Sequence, residues 1–154
     1  VENFDTDGRS PRTQVAALCW RVARGRVEVL LVTSRETGRW IIPKGWPMPD
    51  ATPGEAAARE AWEEAGVRGE LGEGLGLYTY DKVLDRSGMA PEAVTCVVAV
   101  FPLRVDSRKK IFPEAGQRRV RWFPRDKAAR KVEEPALQAI IAGFVPAGAE
   151  APAT

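Results

Sequence analysis

Three carboxylates, Glu60, Glu63 and Glu64, fall within five residues, with Arg59 beside them, Gly66 just beyond and Gly45 upstream. Acids so close repel one another, and a divalent cation among them would turn that repulsion into a site. On a helix each residue advances by about 100°, so with Glu60 at zero, Glu64 lies at roughly +40° and Glu63 at roughly −60°. All three share one arc. Ala58, Ala61, Ala65 and Trp62 fall at roughly 100–200°, which predicts them as the face that packs on a sheet. Arg59 is four residues from both Glu55 and Glu63, close enough to brace one carboxylate from the side.

The plain alternative is a helix with a solvated acidic face. The acids lie toward the helix C-terminus, where the macrodipole disfavours them, and Glu60/Glu64 is a like-charge i,i+4 pair, but each effect is worth only about a few tenths of a kcal/mol. The wider spacing decides. The chain resembles the Nudix box, which reads Gly, five residues, Glu, seven residues, Arg-Glu, an apolar residue, any residue, Glu-Glu, any residue, Gly and an apolar residue. It matches at Gly45, Arg59, Glu60, Ala61, Glu63, Glu64, Gly66 and Val67 and departs once, with Ala51 at the first glutamate. Six identities at fixed spacing arise by chance on the order of 10⁻⁷ per start position.

The resemblance implies a hydrolase of diphosphate linkages that holds Mg²⁺, with Mn²⁺ as the alternative, on Glu60, Glu63, Glu64 and the Gly45 carbonyl. Such an ion neutralises a diphosphate and activates water for in-line attack at phosphorus. The first glutamate of the box is more peripheral, and Asp50, next to Ala51, is a partial substitute. The proton-accepting base stays open between Glu60 or Glu63 on the helix and Glu114 in the Phe112-Pro113-Glu114 loop.

The similarity extends over about residues 12–145. Ala16 to Arg21, Val29 to Arg35, Arg39 to Pro43 and Arg119 to Phe123 look like the diphosphoinositol polyphosphate phosphohydrolase branch. That branch is Mg²⁺-dependent, removes the β-phosphate of inositol pyrophosphates and often also hydrolyses diadenosine polyphosphates. Its animal members carry a glycine run after the proline, where this chain has Lys44-Gly45-Trp46. A highly anionic substrate is also what the basic residues would suit. Arg12, Arg35, Arg39 and Lys44 fall near strand ends or the loop entering the box, Lys82 and Arg86 on a second loop, Lys109 and Lys110 on a third. Guanidinium groups grip phosphate oxygens in pairs and lysine adds a point charge, although each residue taken alone reads equally well as solvated surface.

Two rivals remain at this level. A dinucleoside polyphosphate or nucleoside diphosphate hydrolase would want an aromatic slot, for which Trp46, Tyr78 and Tyr80 are the candidates. A non-catalytic ligand sensor is favoured by Ala51 and opposed by the intact Glu63-Glu64 pair.

The elements that must position these residues follow from pattern. At 154 residues the chain is long enough to bury one core without disulfides. It has no histidine, which removes Ser-His-Asp triads and histidine-ligated zinc. A net charge of +2 and the lack of a basic stripe argue against nucleic acid as partner. Cys19 and Cys96 lie in separate apolar runs and read as buried thiols of a cytoplasmic protein. No apolar run approaches membrane-spanning length. A small-molecule polyphosphate is thus the expected partner, with monomer and homodimer both open.

Residues 13–22 and 27–33 read as a strand hairpin turning at Arg24-Gly25-Arg26, and 40–42 as a short strand stopped by Pro43. The acidic helix should open at Thr52-Pro53 and end at Ala65 before Gly66. A strand is expected within 71–84, a loop through 86–88, a central strand from Ala93 up to Pro102, a charged loop over 106–117 and a half-buried strand over 118–123. Helices at 124–131 and 134–144 close the chain. The plan is α/β, a Nudix-type α/β/α sandwich with a mixed sheet between helices. It is one domain over 13–145, with a flexible segment at 1–12 and a disordered tail at 146–154.

Overall fold

The computed structural model describes residues 11–83 and 93–146. The elements run β1 (Arg12–Ala23), β2 (Arg26–Thr33), β3 (Trp40–Ile41), β4 (Lys44–Gly45), α1 (Pro53–Ala65), β5 (Val67–Leu71), β6 (Gly76–Val83), β7 (Ala93–Arg108), β8 (Val120–Pro124), α2 (Arg125–Lys131) and α3 (Pro135–Ala142). The strands form one mixed sheet, in which β1 and β7 run parallel and the other pairs antiparallel.

Period-two alternation sends successive strand residues to opposite faces, and here both faces are covered. Ala16, Leu18, Val29 and Leu31 join the core under α2 and α3, while Val15, Ala17, Leu30 and Val32 join the core under α1. That is why β1 and β2 read as continuous apolar runs. Arg24 and Gly25, at φ of 54° and 75°, make the two-residue turn between them, with both central residues left-handed.

The feature that matters most for the site is a change of partner along β1. It pairs with β2 only over Trp20–Ala23; lower down, Val15 and Ala16 pair with Gly45 and Lys44, and the Ala17 N–H donates to the Pro43 carbonyl. The β3–β4 segment therefore enters the sheet beneath α1. The helix start is fixed by a capping box: the Glu55 N–H donates to Thr52 Oγ1 at 3.1 Å and the Thr52 N–H to Glu55 Oε1 at 2.9 Å. Its end is fixed by Gly66, left-handed at φ 73°, whose N–H reaches the Trp62 carbonyl.

Four expectations need correction. The face of α1 that packs inward is Ala56, Ala57, Ala61, Glu64 and Ala65, whereas Ala58 and Trp62 are half-buried on its flank. The buried arc is thus rotated toward the acids. β5 was not foreseen: Val-Arg-Gly-Glu-Leu has little strand character, and the strand exists because it pairs with β7, with a register shift between Arg68 and Gly69. β7 does not stop at Pro102 but runs to Arg108, into the expected charged loop. Pro102 lies where β7 changes partner from β6 to β5, and its carbonyl accepts from Gly72 on that side, so its missing N–H costs no ladder bond to β1. Arg12 already belongs to β1, so the expected N-terminal segment ends sooner. Residues 1–10 of that segment, the 86–88 loop and the tail beyond residue 146 lie outside the described residues.

A Cβ on Gly66 would strike the Phe112 ring and, at 2.7 Å, the Lys109 carbonyl, whereas a Cβ on the equally left-handed Gly25 (φ 75°) meets nothing. Left-handed backbone costs an ordinary residue roughly 1–2 kcal/mol at either position. Gly66→Ala is therefore expected to lower Tm by at least twice as much as Gly25→Ala in thermal melts. Equal shifts would mean that the β7–β8 loop does not pack on the helix end.

Candidate active site

Glu60 and Glu64 open into a cavity of about 290 Å³ at the point where β4 enters the sheet, together with Lys44, Gly45, Glu114 and Arg118. Gly45 is what allows this. A Cβ there would fall on the Glu60 carboxyl group, so only glycine lets the acid lie against the strand. Glu64, 4% exposed, is buried between helix and sheet and hydrogen-bonds Glu60. Arg118 Nη2 stands 3.9 Å from its Oε2, while its Oε1 is buried without a hydrogen-bond partner.

Burial pushes the Glu64 carboxyl up to about 8, overcoming the pull of Arg118, and the hydrogen bond with Glu60 adds to the rise. Burial also raises Glu60, and the nearby charges of Glu63 and Glu114 act in the same direction. Desolvation lowers the Lys44 ammonium to about 8 although Glu64 lies nearby, and its Nζ sits 4.9 Å over the Tyr80 ring. The Tyr80 hydroxyl donates to the buried Gln14 at 2.6 Å.

Two close carboxylates, one with an orphaned buried oxygen, beside a backbone stripped of its Cβ, are oxygen donors that suit a hard divalent cation. Glu60, Glu64 and the Gly45 carbonyl would hold it. Glu63 departs from expectation. Its side chain lines another cavity on the outer flank of α1 with Arg59, and among the described residues no three acidic side chains stand close enough together to ligate one ion. Its backbone matters instead: the Glu63 carbonyl accepts from the Glu114 N–H at 3.0 Å, which fastens the Glu114 loop over the site. Arg59 braces neither Glu55 nor Glu63 but donates to Met48 Sδ at 3.0 Å.

The basic residues divide. Arg35, Lys44 and Lys82 line the cavity, with Arg35 donating to Gln117. Arg12 is exposed and outside it. Arg39 is occupied at the start of α3, its Nη2 2.9 Å from Glu134 and its Nη1 3.8 Å from Glu133. Lys109 and Lys110 line a different cavity, and Arg86 lies outside the described residues. Of the aromatic candidates Tyr78 is core, while Tyr80 and the 43%-exposed Trp46 line the site. Ala51 is half-buried against the α1-side core, and Asp50 is exposed and does not line the cavity.

Arg118 is the residue that the pattern did not single out. Only 10% of its side chain is exposed; it donates to the Thr33 carbonyl at 3.0 Å and to Glu114 Oε1 at 3.3 Å, and it faces Glu64. In sequence it is one of three arginines in a short basic stretch. The other two lie over aromatic rings, Arg119 over Trp40 and Arg121 over Phe123.

The fold agrees with the comparisons to known proteins. The model of the NUDIX domain matches residues 12–145. Nudix hydrolase 16, mitochondrial, of Arabidopsis thaliana is 33% identical over 143 residues, 92% of this chain and 73% of that protein. Human diphosphoinositol polyphosphate phosphohydrolase 3-alpha is 44% identical over 78 residues, 51% of this chain; the match spans about half of that relative, 46% of its length. Among solved structures, a NUDIX hydrolase from Nitrosomonas europaea superposes with a TM-score of 0.62 at 22% identity over 86% of both chains. A C. elegans Ap4A hydrolase complex gives 0.56 at 18% identity over 84% of this chain and 92% of that one. At these identities the two structures speak for the fold alone. The chain belongs to the NUDIX domain family. It is a pyrophosphohydrolase of that family, whose enzymes generally use divalent metal ions. No helix among the described residues is long and apolar enough to cross a membrane.

Glu64 generates a pH test. Its folded-state value, about 8, lies above the ordinary 4.5, so between these values the folded protein binds more protons than the unfolded chain. Its contribution to stability is then complete below 4.5 and is lost as pH rises toward 8. Without divalent ions, Glu64→Gln is expected to gain Tm relative to the parent as pH rises from 5 to 8. A Tm difference constant across that range would show that Glu64 does not take up a proton on folding.

Proposed function

We propose that this protein hydrolyses a phosphoanhydride bond in a small, highly anionic molecule in a Mg²⁺-dependent reaction, with a diphosphoinositol polyphosphate as the leading substrate. The observation that carries the reading is one cavity whose floor is the Glu60–Glu64 pair and whose rim is Arg35, Lys44, Lys82 and Arg118. Carboxylates alone would repel a diphosphate, and cations alone would bind it without cleaving it. The partial match to the human diphosphoinositol polyphosphate phosphohydrolase supports the choice of substrate, as does a rim of both guanidinium and ammonium groups.

A divalent ion, when bound at Glu60, Glu64 and the Gly45 carbonyl, supplies charge neutralisation and water activation. The residues do the rest. Lys44, Lys82 and Arg35 draw the phosphate oxygens into the cavity and orient the scissile bond. Glu114 accepts the proton of the attacking water as the phosphorus–oxygen bond of the leaving group breaks. Of the three base candidates it is the best suited, because Glu63 does not line the cavity and Glu60 is engaged with Glu64. Arg118 keeps the Glu114 carboxylate turned inward. Arg59, bound to Met48, would hold the loop that enters α1 rather than a carboxylate. Cytoplasmic residence fits two unpaired, buried cysteines.

A second reading rests on Trp46, which is exposed on the cavity rim. An unstacked indole beside a polyphosphate site suits the base of a dinucleoside polyphosphate.

A Mg²⁺-dependent hydrolysis panel with product identification separates the two. Orthophosphate released from an inositol pyrophosphate is the expected product, and Glu64→Gln, Glu114→Gln and Gly45→Ala should each lower kcat by about a hundredfold or more. Preferential release of AMP or ATP from a diadenosine polyphosphate would move the assignment to the second reading. In that case Trp46→Ala should raise KM roughly fivefold or more with kcat little changed, a stacking loss of about 1 kcal/mol. No turnover on any diphosphate, or variants equal to the parent, would overturn the proposal.

A further inference from the structure

The loop between β7 and β8 carries a second basic concavity outside the catalytic one. Arg108, Lys109, Lys110 and Arg118 line a cavity of about 370 Å³, with the small residues Ala115 and Gly116 at its edge and no acidic side chain in its lining. Arg118 belongs to both cavities, since it also faces Glu64 and Glu114. The lysines were expected on the rim of the catalytic cavity, yet they sit on the other side of this arginine.

The concavity is built on fixed backbone. The Arg108 side chain donates through Nε to the Ala65 carbonyl at 3.2 Å and the Lys109 backbone N–H to the Gly66 carbonyl at 2.8 Å, so the chain carrying these cations is tied to the end of α1, next to Glu64. Gly116, left-handed at φ 85°, has open space where a Cβ would stand, which leaves room beside the charges. Arg118 is paired with Glu114 and Glu64, whereas Arg108, Lys109 and Lys110 have no carboxylate partner among the described residues, so three like charges gather in a concavity and repel one another until an anion enters. A lysine and arginine set matches phosphate oxygens, which accept both paired guanidinium bonds and point charges. An extended nucleic acid would need a long stripe of charge rather than one local concavity.

We propose that this cavity is a phosphate subsite. Two sources share its chemistry. One is a distal phosphate group of the molecule whose scissile diphosphate occupies the neighbouring cavity, which rests on the function proposed above. The other is free orthophosphate.

The test uses the full chain and the double variant Lys109→Ala/Lys110→Ala, both positions being exposed and outside the catalytic cavity. Orthophosphate and tripolyphosphate are titrated into metal-free protein while backbone amide signals are followed. The expected result is saturable shifts at Ala115 and Gly116 in the parent, with affinity lowered about tenfold in the double variant. In turnover, a tenfold higher KM with unchanged kcat, only for substrates with phosphates beyond the scissile diphosphate, identifies the distal phosphate as source. Weakened orthophosphate binding with KM unchanged for every substrate identifies free phosphate. The proposal is overturned if the variant binds both probes as tightly as the parent, if the shifts map only to the Glu60 cavity, or if a short RNA outcompetes tripolyphosphate at equal charge. The titration needs no catalysis, so a failure of the hydrolase reading leaves it able to judge this one.

Discussion

The rest of this structure depends on burying Glu64. A carboxyl taken out of water costs several kcal/mol unless it is paired or protonated, and this one is only partly compensated, by an arginine at 3.9 Å and by a hydrogen bond to Glu60. An apolar residue would stabilise α1 better. The position makes physical sense as a site held ready for positive charge, since the same desolvation that penalises the lone acid strengthens its attraction for a cation in the cavity. Lys44 is the mirror image, an ammonium whose pKa burial lowers in the same cavity. Each of the two is poorly solvated, and neither is fully neutralised by the other.

The surrounding fold serves that arrangement. For Glu60 to reach the backbone of β4, that strand must lie in the plane of the sheet and carry no side chain at Gly45, and β1 accordingly leaves β2 and takes Lys44-Gly45 as its partner. For Glu64 to face inward, the rotation of α1 must be set, and the capping box and the left-handed Gly66 define its two ends. The small Ala56, Ala57, Ala61 and Ala65 then let the helix approach closely. A larger residue at any of them would lift both carboxylates away from the sheet.

Much of this was legible beforehand, and the failures have a common cause. The hairpin, α1 with both its caps, and the closing helices follow from local pattern, because turn glycines, caps and apolar periodicity act within a few residues. The spacing of Gly45, Glu60 and Glu64 pointed to the site itself. β5 escaped because its pairing with β7 is entirely non-local, and Pro102 misled because the consequence of a missing N–H depends on which neighbour lies alongside. The helix face was drawn too far toward Trp62 on the premise that acids avoid the sheet, and a functional site is where that premise fails.

The arginines make the same point about side chains. Arg118, Arg119 and Arg121 are indistinguishable in sequence, yet one joins three groups around the cavity and two lie over aromatic rings. What separates them is alternation: Arg119 and Arg121, two residues apart, send their side chains to the face of the aromatic rings, while Arg118 falls on the opposite side and turns toward the Thr33 carbonyl and the Glu114 loop. Arg39 was the converse, a cation at the right distance along the chain whose charge is spent on Glu133 and Glu134. A basic residue near a phosphate site becomes a ligand only if no nearer acid has already claimed it. By that criterion Lys44, Lys82 and Arg35 remain available to a substrate among the described residues, whereas Arg118 is held first by Glu114 and Glu64 and reaches an anion only beside them.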